Sequence, residues 1–145
     1  MEADISNKDV QILQHIVRYC HEIDTTADVY QVTKEKIENN FIIRNAICMP
    51  IQQIGELANH LTDEFTSSHK EIPWRSVVGM RNIFAHEYSN VDAEMVFGTV
   101  QYDIPGLKNF CFKVLKEHDK EIPKPEPLNS SGLTNDIQHF TTFEA

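Results

Sequence analysis

The chain is organised around one stretch of sequence, WRSVVGMRNIFAHEY, which spans residues 74–88. Pro73 stands directly before it and suits the first turn of a helix, where a missing N–H leaves no hydrogen bond unmade. Apolar residues then recur at helical spacing, at Val77, Met80, Phe84 and Ala85. The pattern predicts one continuous helix over residues 74–88 with a single buried face.

Four polar residues, Arg81, Asn82, His86 and Tyr88, fall outside that apolar face. On a continuous helix Asn82 and His86 share one face and Arg81 and Tyr88 share the adjoining one. Taken singly, each has an ordinary interpretation, such as a surface cation, a structural histidine or a packed tyrosine. Together they place a cation, an amide, an imidazole and a phenol at one end of a helix, and this clustering favours a functional site.

Composition restricts the class of protein. The chain has 145 residues, 41% hydrophobic and 24% charged, which is typical of one globular domain. Its three cysteines are isolated, which argues against a disulfide framework or a zinc site, and no apolar run is long enough to span a membrane. The acidic N-terminus does not resemble a secretory signal, so we expect a cytoplasmic protein.

The net charge of −9 bears on possible partners. A protein that coats nucleic acid needs a basic surface to displace counterions from the phosphates. We therefore expect any contact with RNA to be local and to use a few placed cations.

Helical patterns cover most of the chain, and the sequence predicts an all-α, up-and-down bundle of four to five helices. The first should begin at Ser6 or Asn7 and end at Thr25-Thr26. A short helix is predicted over residues 28–38 and a long one over residues 41–65, kinked or split near Pro50. Ser89 with Asp92 should cap a last helix that bends at Pro105-Gly106.

The helical pattern stops near residue 118. Residues 119–145 contain a proline-rich run followed by Ser130-Ser131-Gly132, which is the composition of a linker. We therefore expect a helical domain over residues 1–118 and a flexible, loosely ordered C-terminal tail over residues 119–145.

The octapeptide Arg81-Asn82-Ile83-Phe84-Ala85-His86-Glu87-Tyr88 resembles the motif of the HEPN superfamily, in which an arginine, four residues, a histidine, one residue and a tyrosine follow one another. The flanking sequences Ile72-Pro73-Trp74 and Ile54-Gly55-Glu56 are similar to those of its HepT branch. That branch comprises toxins paired with a minimal nucleotidyltransferase antitoxin, MntA. The resemblance covers roughly residues 7–118.

The resemblance implies a homodimeric endoribonuclease toxin of a type VII-like toxin-antitoxin pair. In such proteins the motifs meet across a two-fold axis and cut RNA without a metal ion or other cofactor. It also implies that the antitoxin neutralises the toxin by attaching AMP to the motif tyrosine, which is Tyr88 here.

The chemistry of RNA cleavage suits these residue types. The 2′-hydroxyl attacks the adjacent phosphorus, so a base must take its proton and an acid must protonate the leaving 5′-oxygen. Histidine titrates near neutrality and can do either, which assigns acid–base catalysis to His86. Arg81 can stabilise the charge on the phosphoryl oxygens with paired N–H donors, and Asn82 would support it.

A non-catalytic role stays open at this point. The same residues could form a nucleotide- or partner-binding module, with Arg81 gripping a phosphate and His86 only donating a hydrogen bond. Glu56 and His60 have the spacing of metal ligands, but no second pair completes a site. Glu56 is therefore expected at most to border the cleft, and Trp74 is expected to anchor the packing.

Overall fold

The computed structural model describes residues 4–84 and 91–128. Its α-helices are α1 (Asn7–Val29), α2 (Lys34–Asn39), α3 (Phe41–Ala58), α4 (Asp63–Ser68), α5 (Trp74–Gly79), α6 (Ala93–Gly98) and α7 (Ile104–Glu117). A single 3-10 turn, Met80–Asn82, follows α5, and a π-helical turn, Thr99–Asp103, joins α6 to α7. No β-strand occurs in these two ranges, and the predicted all-α bundle is confirmed.

The core is formed where α1 packs against α3 on one side and α7 on the other. Most of the fully buried side chains of these three helices are aliphatic: Leu13, Ile16, Val17 and Ile23 from α1, Ile47, Ile51 and Ile54 from α3, and Ile104, Val114 and Leu115 from α7. α5 and the 3-10 turn pack on α3, so the motif is held against one side of this core.

Local capping explains where several helices begin. The Ser6 side chain accepts a hydrogen bond from the Asp9 backbone N–H, as the sequence predicts for the start of α1. Asn40 caps α3 by accepting from Ile42 and Ile43. Asp92 caps α6 by accepting a hydrogen bond from the Met95 N–H, and its predicted companion Ser89 lies outside the described residues.

Three predicted helix boundaries were wrong. α1 does not end at Thr25-Thr26 but continues to Val29, because these threonines weaken a helix only slightly and Ala27 packs against the core. The short second helix begins at Lys34 rather than near residue 28. The long third helix is not split at Pro50 but ends at Ala58, and Thr62 starts the separate helix α4.

The π-helical turn is the structural consequence of Pro105. A proline has no N–H to donate to the carbonyl four residues earlier, and a widened turn is one way to accommodate that loss. Here the Ile104 N–H bonds to the Thr99 oxygen, five residues back. A π turn therefore precedes the position of the predicted bend, and the helical run continues from Ala93 to Glu117; the bend itself stays a prediction.

A buried carboxylate joins α1 to the start of α4. Asp9 is 2% exposed and accepts hydrogen bonds from the Thr62 N–H (2.9 Å), the Thr62 hydroxyl (2.6 Å) and the Ser6 hydroxyl (2.9 Å). Its three donors compensate the desolvation of the charge. The contact fixes the corner between α3 and α4, which the helical periodicity of residues 41–65 did not reveal.

We expect Asp9→Ala to lower the free energy of unfolding by about 2–3 kcal/mol, because it leaves two partly buried Thr62 donors without their acceptor. Ser6→Ala is the matched control and should cost about 1 kcal/mol, the usual value for a lost N-cap. Urea unfolding measures both. Equal losses in the two variants would show that the link to Thr62 contributes nothing beyond the cap.

Among the described residues, no helix is both long and apolar enough to cross a membrane.

Candidate active site

The motif begins at a change of helical geometry. The predicted continuous helix over residues 74–88 is not observed, because the α-helix ends at Gly79 and Met80–Asn82 forms a 3-10 turn closed by a hydrogen bond from the Ile83 N–H to the Met80 oxygen (3.1 Å). Such turns are common at the ends of α-helices. Residues 85–90, including His86 and Tyr88, lie outside the described residues.

The backbone of Arg81 lies directly against Gly55 of α3. A Cβ built on Gly55 would stand 2.2 Å from the Arg81 nitrogen and 2.9 Å from the Met80 carbonyl carbon. Both are backbone atoms, which cannot rotate away as a flexible side chain can. Gly55 is therefore the residue that allows the motif turn to approach α3, and it positions Arg81.

The 3-10 turn directs successive side chains to different sides. Arg81 is half-buried, Asn82 is exposed, and Ile83 is buried at 5% exposure, where it anchors the turn to the core. At about three residues per turn, Arg81 and Asn82 point roughly 120° apart. A continuous α-helix would place them about 100° apart, so the turn changes their relative direction by only about 20°.

A groove of about 770 Å³ lies between α5 and the α6–α7 run. Its lining is largely apolar and also includes Asn82, Met80, Ser76, Tyr102 and Asp103. Arg81 is not part of this lining, so the groove adjoins the motif on the Asn82 side. Asn82 is therefore placed to contact a molecule in the groove, whereas Arg81 acts from the neighbouring side of the turn.

The start of α5 is held by an aromatic cluster. Trp74 packs against Phe65 and Phe110, with ring centroids 5.9 Å and 5.6 Å away, and its indole N–H donates to the His69 oxygen at 2.9 Å. Such pairs stabilise a core beyond the area they bury. The predicted role of Trp74 as a packing anchor is confirmed.

The predicted face sharing of Asn82 with His86 and of Arg81 with Tyr88 stays a prediction, because both partners lie outside the described residues. It assumed a continuous α-helix, which the turn at Met80 interrupts. The motif's geometry up to residue 84 is therefore set by the contact with α3 rather than by helical periodicity.

Glu56 and His60 are both exposed and neither lines the groove. Within residues 4–84 and 91–128, no three His, Cys, Asp or Glu side chains lie together as a set of metal ligands.

Three residues that shape the site, Gly55, Tyr102 and Asp103, were not assigned a role from the sequence. Gly55 could have been found, since a glycine inside a helical pattern costs stability and often marks a close approach of backbones. Tyr102 and Asp103 in the groove wall carried no signal, because only the tertiary fold brings the π turn to the groove that Asn82 also lines.

Comparison with known proteins decides the family. The sequence profile of the ribonuclease HepT-like family matches residues 13–114, which is most of the chain. This chain belongs to the HepT-like ribonuclease family.

Individual relatives agree with this assignment. A Methanocaldococcus jannaschii protein provisionally named as an RNase is 29% identical over 108 residues, covering 72% of this chain and 94% of that protein. A Thermococcus cleftensis protein provisionally named ribonuclease HepT is 37% identical over 71 residues, which are 49% of this chain and 64% of that protein.

A second M. jannaschii protein carries the name gamma-glutamylcyclotransferase together with a provisional RNase name. It is 34% identical over 118 residues, and the matched region covers 78% of this HepT-like chain but only half of that longer protein. No solved structure is matched significantly. The predicted HEPN-type, HepT-like classification is thereby confirmed.

Proposed function

We propose that this HepT-like chain is a metal-independent endoribonuclease that acts as the toxin of a toxin-antitoxin pair. The observation that carries the proposal is the complete motif Arg81…His86-Glu87-Tyr88 in a chain of a ribonuclease family. The seating of Arg81 against Gly55 adds support, because a group that stabilises a transition state must be held in place before the reaction.

In the proposed reaction the ribose 2′-oxygen forms a bond to the adjacent phosphorus while the bond from phosphorus to the 5′-oxygen breaks. A base removes the 2′-hydroxyl proton and an acid protonates the 5′-oxygen, so the products are a 2′,3′-cyclic phosphate and a 5′-hydroxyl. We assign one of these proton transfers to His86, whose imidazole can carry a proton near neutral pH.

Arg81 would hold the phosphoryl oxygens on which negative charge accumulates. A guanidinium presents paired N–H donors that match two such oxygens. Asn82, at the groove wall, would orient the RNA without transferring a proton. Because the chain carries a net charge of −9, we expect the Arg81 guanidinium to supply most of the electrostatic attraction for the phosphate.

The test is to incubate the protein with mixed RNA in excess EDTA and to analyse the ends of the products. We expect fragments ending in 2′,3′-cyclic phosphate, and an Arg81→Ala preparation purified identically should give none. Intact RNA combined with tight binding of a nucleotide or of a nucleotidyltransferase would instead favour the non-catalytic module.

We expect the protein to be a two-fold symmetric homodimer. Each chain supplies one motif histidine, whereas the reaction needs two proton transfers, and a symmetric pair of chains provides both. Light scattering at micromolar concentration should give twice the chain mass of 16.7 kDa. A monomer that still cleaves RNA would rule out a shared site.

Tyr88 is the proposed site of regulation. A phenol has a reference pKa of about 10, so it is neutral at pH 7 and suits modification better than proton transfer. We propose that a cognate MntA-like nucleotidyltransferase attaches AMP to its hydroxyl. The added phosphate would compete with RNA for Arg81 by both charge and bulk.

Tyr88→Phe should therefore keep most of its RNA cleavage but escape neutralisation when it is co-expressed with the nucleotidyltransferase. Mass spectrometry of the co-expressed wild-type chain should show AMP on Tyr88, and Tyr102→Phe serves as the control tyrosine. AMP on another residue, or suppression of the Phe variant without modification, would remove Tyr88 from this role.

A further inference from the structure

One face of α3 presents apolar side chains to solvent. Phe41, Ile42 and Met49 are 63%, 65% and 51% exposed, and the exposed polar residue Asn45 lies between them on the same face. We call Phe41, Ile42 and Met49 the α3 apolar stripe. Nothing in residues 4–84 and 91–128 covers it, and apolar surface of this kind usually marks a contact.

The chain after α7 returns towards this region as a docked strap, residues 121–128. The Gln14 amide donates to the Glu121 oxygen at 3.0 Å, and the buried His21 Nε2 donates to the Pro123 oxygen at 2.9 Å. Pro123 itself is buried, and Ile122 packs against the core. Both hydrogen bonds go to α1, so the strap crosses that helix along a defined path.

Neither of the ion pairs within residues 4–84 and 91–128 includes a residue of the strap. Partial burial raises the pKa of the Glu22 carboxyl, and the nearby Glu126 carboxylate of the strap raises it further. The two acids therefore repel each other where the strap passes α1. Apolar burial and the two hydrogen bonds must supply the attraction.

The strap ends beside α3. Leu128, Ala46 of α3 and Thr25 of α1 line the same groove of about 520 Å³. Ala46 is about one helical turn from both Ile42 and Met49. The last described residues thus bring the chain to the edge of the α3 apolar stripe.

The sequence that follows has a matching apolar pattern. Leu133, Ile137 and Phe140 recur at i, i+4 and i+7, with polar residues between them. Leu133 is five positions after Leu128, and an extended chain spans roughly 17 Å over five positions. We propose that residues 133–143 bind to the α3 apolar stripe of the same chain.

The strap favours binding of the tail to its own chain over binding to a second chain. A segment tethered by a short linker faces its target at an effective concentration in the millimolar range, well above the concentration of a second copy in solution. The strap also removes part of the entropy that a free tail would lose on binding.

The experiment uses disulfide trapping in the full chain. Asn45→Cys places a thiol within the stripe without removing an apolar contact, and Thr141→Cys places one beside Phe140. The native cysteines do not compete, because Cys20, Cys48 and Cys111 are buried and burial raises the pKa of the Cys20 and Cys48 thiols to about 12 and about 11.

The matched control pairs Thr141→Cys with Lys70→Cys, an exposed position after α4, beyond the far end of α3. We expect the Asn45–Thr141 disulfide to form within one chain at least about tenfold faster than the control disulfide. Adding Ile137→Ser and Phe140→Ser should reduce that rate to the control value.

Equal rates in the two pairs, or a rate that the serine substitutions leave unchanged, would overturn the proposal. Covalent dimers would also overturn it, whether or not their yield falls on dilution, since the tail of a second copy, the partner in the proposed homodimer included, would then occupy the stripe. The readout is independent of RNA cleavage, so it stands or falls separately from the proposed activity.

Discussion

His86→Ala and Arg81→Ala should each abolish measurable RNA cleavage while leaving the bundle folded. Loss of a general acid or base typically lowers the rate by about 10²–10⁴-fold. Loss of a donor that stabilises transition-state charge costs about 3–4 kcal/mol. Asn82→Ala should be milder, because an amide can orient the substrate but cannot carry a proton.

The controls for this prediction remove an arginine and a histidine that lie outside the motif. Arg75→Ala removes an exposed arginine from α5, and His60→Ala removes an exposed histidine that follows α3. Both should retain activity. Single-turnover cleavage of a labelled RNA gives the rates, and thermal unfolding establishes that each variant is folded. Full activity in Arg81→Ala or His86→Ala at an unchanged melting temperature would contradict the assignment.

The second large effect is expected at Gly55. Alanine favours an α-helix over glycine by about 1 kcal/mol, so propensity alone predicts that Gly55→Ala stabilises the protein. The added Cβ would meet the Arg81 nitrogen at 2.2 Å, and overpacking against backbone typically costs about 1–3 kcal/mol. We expect the steric cost to outweigh the propensity, with the turn at Met80 and Arg81 displaced.

Gly98→Ala is the matched control, because it lies in α6 and a Cβ there meets nothing within 4 Å. It should leave stability unchanged or raise it by up to about 1 kcal/mol. Urea unfolding measures both variants, and RNA cleavage should fall in Gly55→Ala alone. If Gly55→Ala kept both its stability and its activity, Gly55 would not be what positions Arg81.

The outcome at Gly55 also separates two roles that the motif could have. If Arg81 only contributes a positive charge near the RNA, a small displacement of its backbone should change the rate little. If it holds specific oxygens with paired N–H donors, the same displacement should cost as much as removing part of the side chain. The ratio of the Gly55→Ala and Arg81→Ala cleavage rates therefore shows whether Arg81 acts through its exact position or only through its charge.

Some features of this protein follow from the sequence alone. The all-α class, the starts of α1 and α3 and the packing role of Trp74 were predicted correctly. Each depends on helical periodicity, on a cap, or on a large apolar side chain. These signals act over a few neighbouring residues, so they can be read without knowing the fold. The site residues Arg81, Asn82, His86 and Tyr88 were proposed from spacing and family resemblance, and their roles stay predictions.

Only the tertiary structure decided where those helices stop. Thr62 begins a new helix where it meets the buried carboxylate of Asp9, and α1 continues past Thr25-Thr26 because α1 packs there against the core. In both cases a contact with residues distant in sequence decides the helix boundary. Differences in local helix propensity amount to a few tenths of a kcal/mol, which is less than such a contact contributes.

The same reason applies to the site. The sequence names Arg81, but it is Gly55 on α3 that leaves room for the Arg81 backbone to pack against that helix. The sequence shows a proline-rich run after α7, but the His21 imidazole on α1 determines where that run lies. Local pattern determined which side chains are available, and contacts between distant residues determined where they are held, because backbone approach and burial depend on both partners at once.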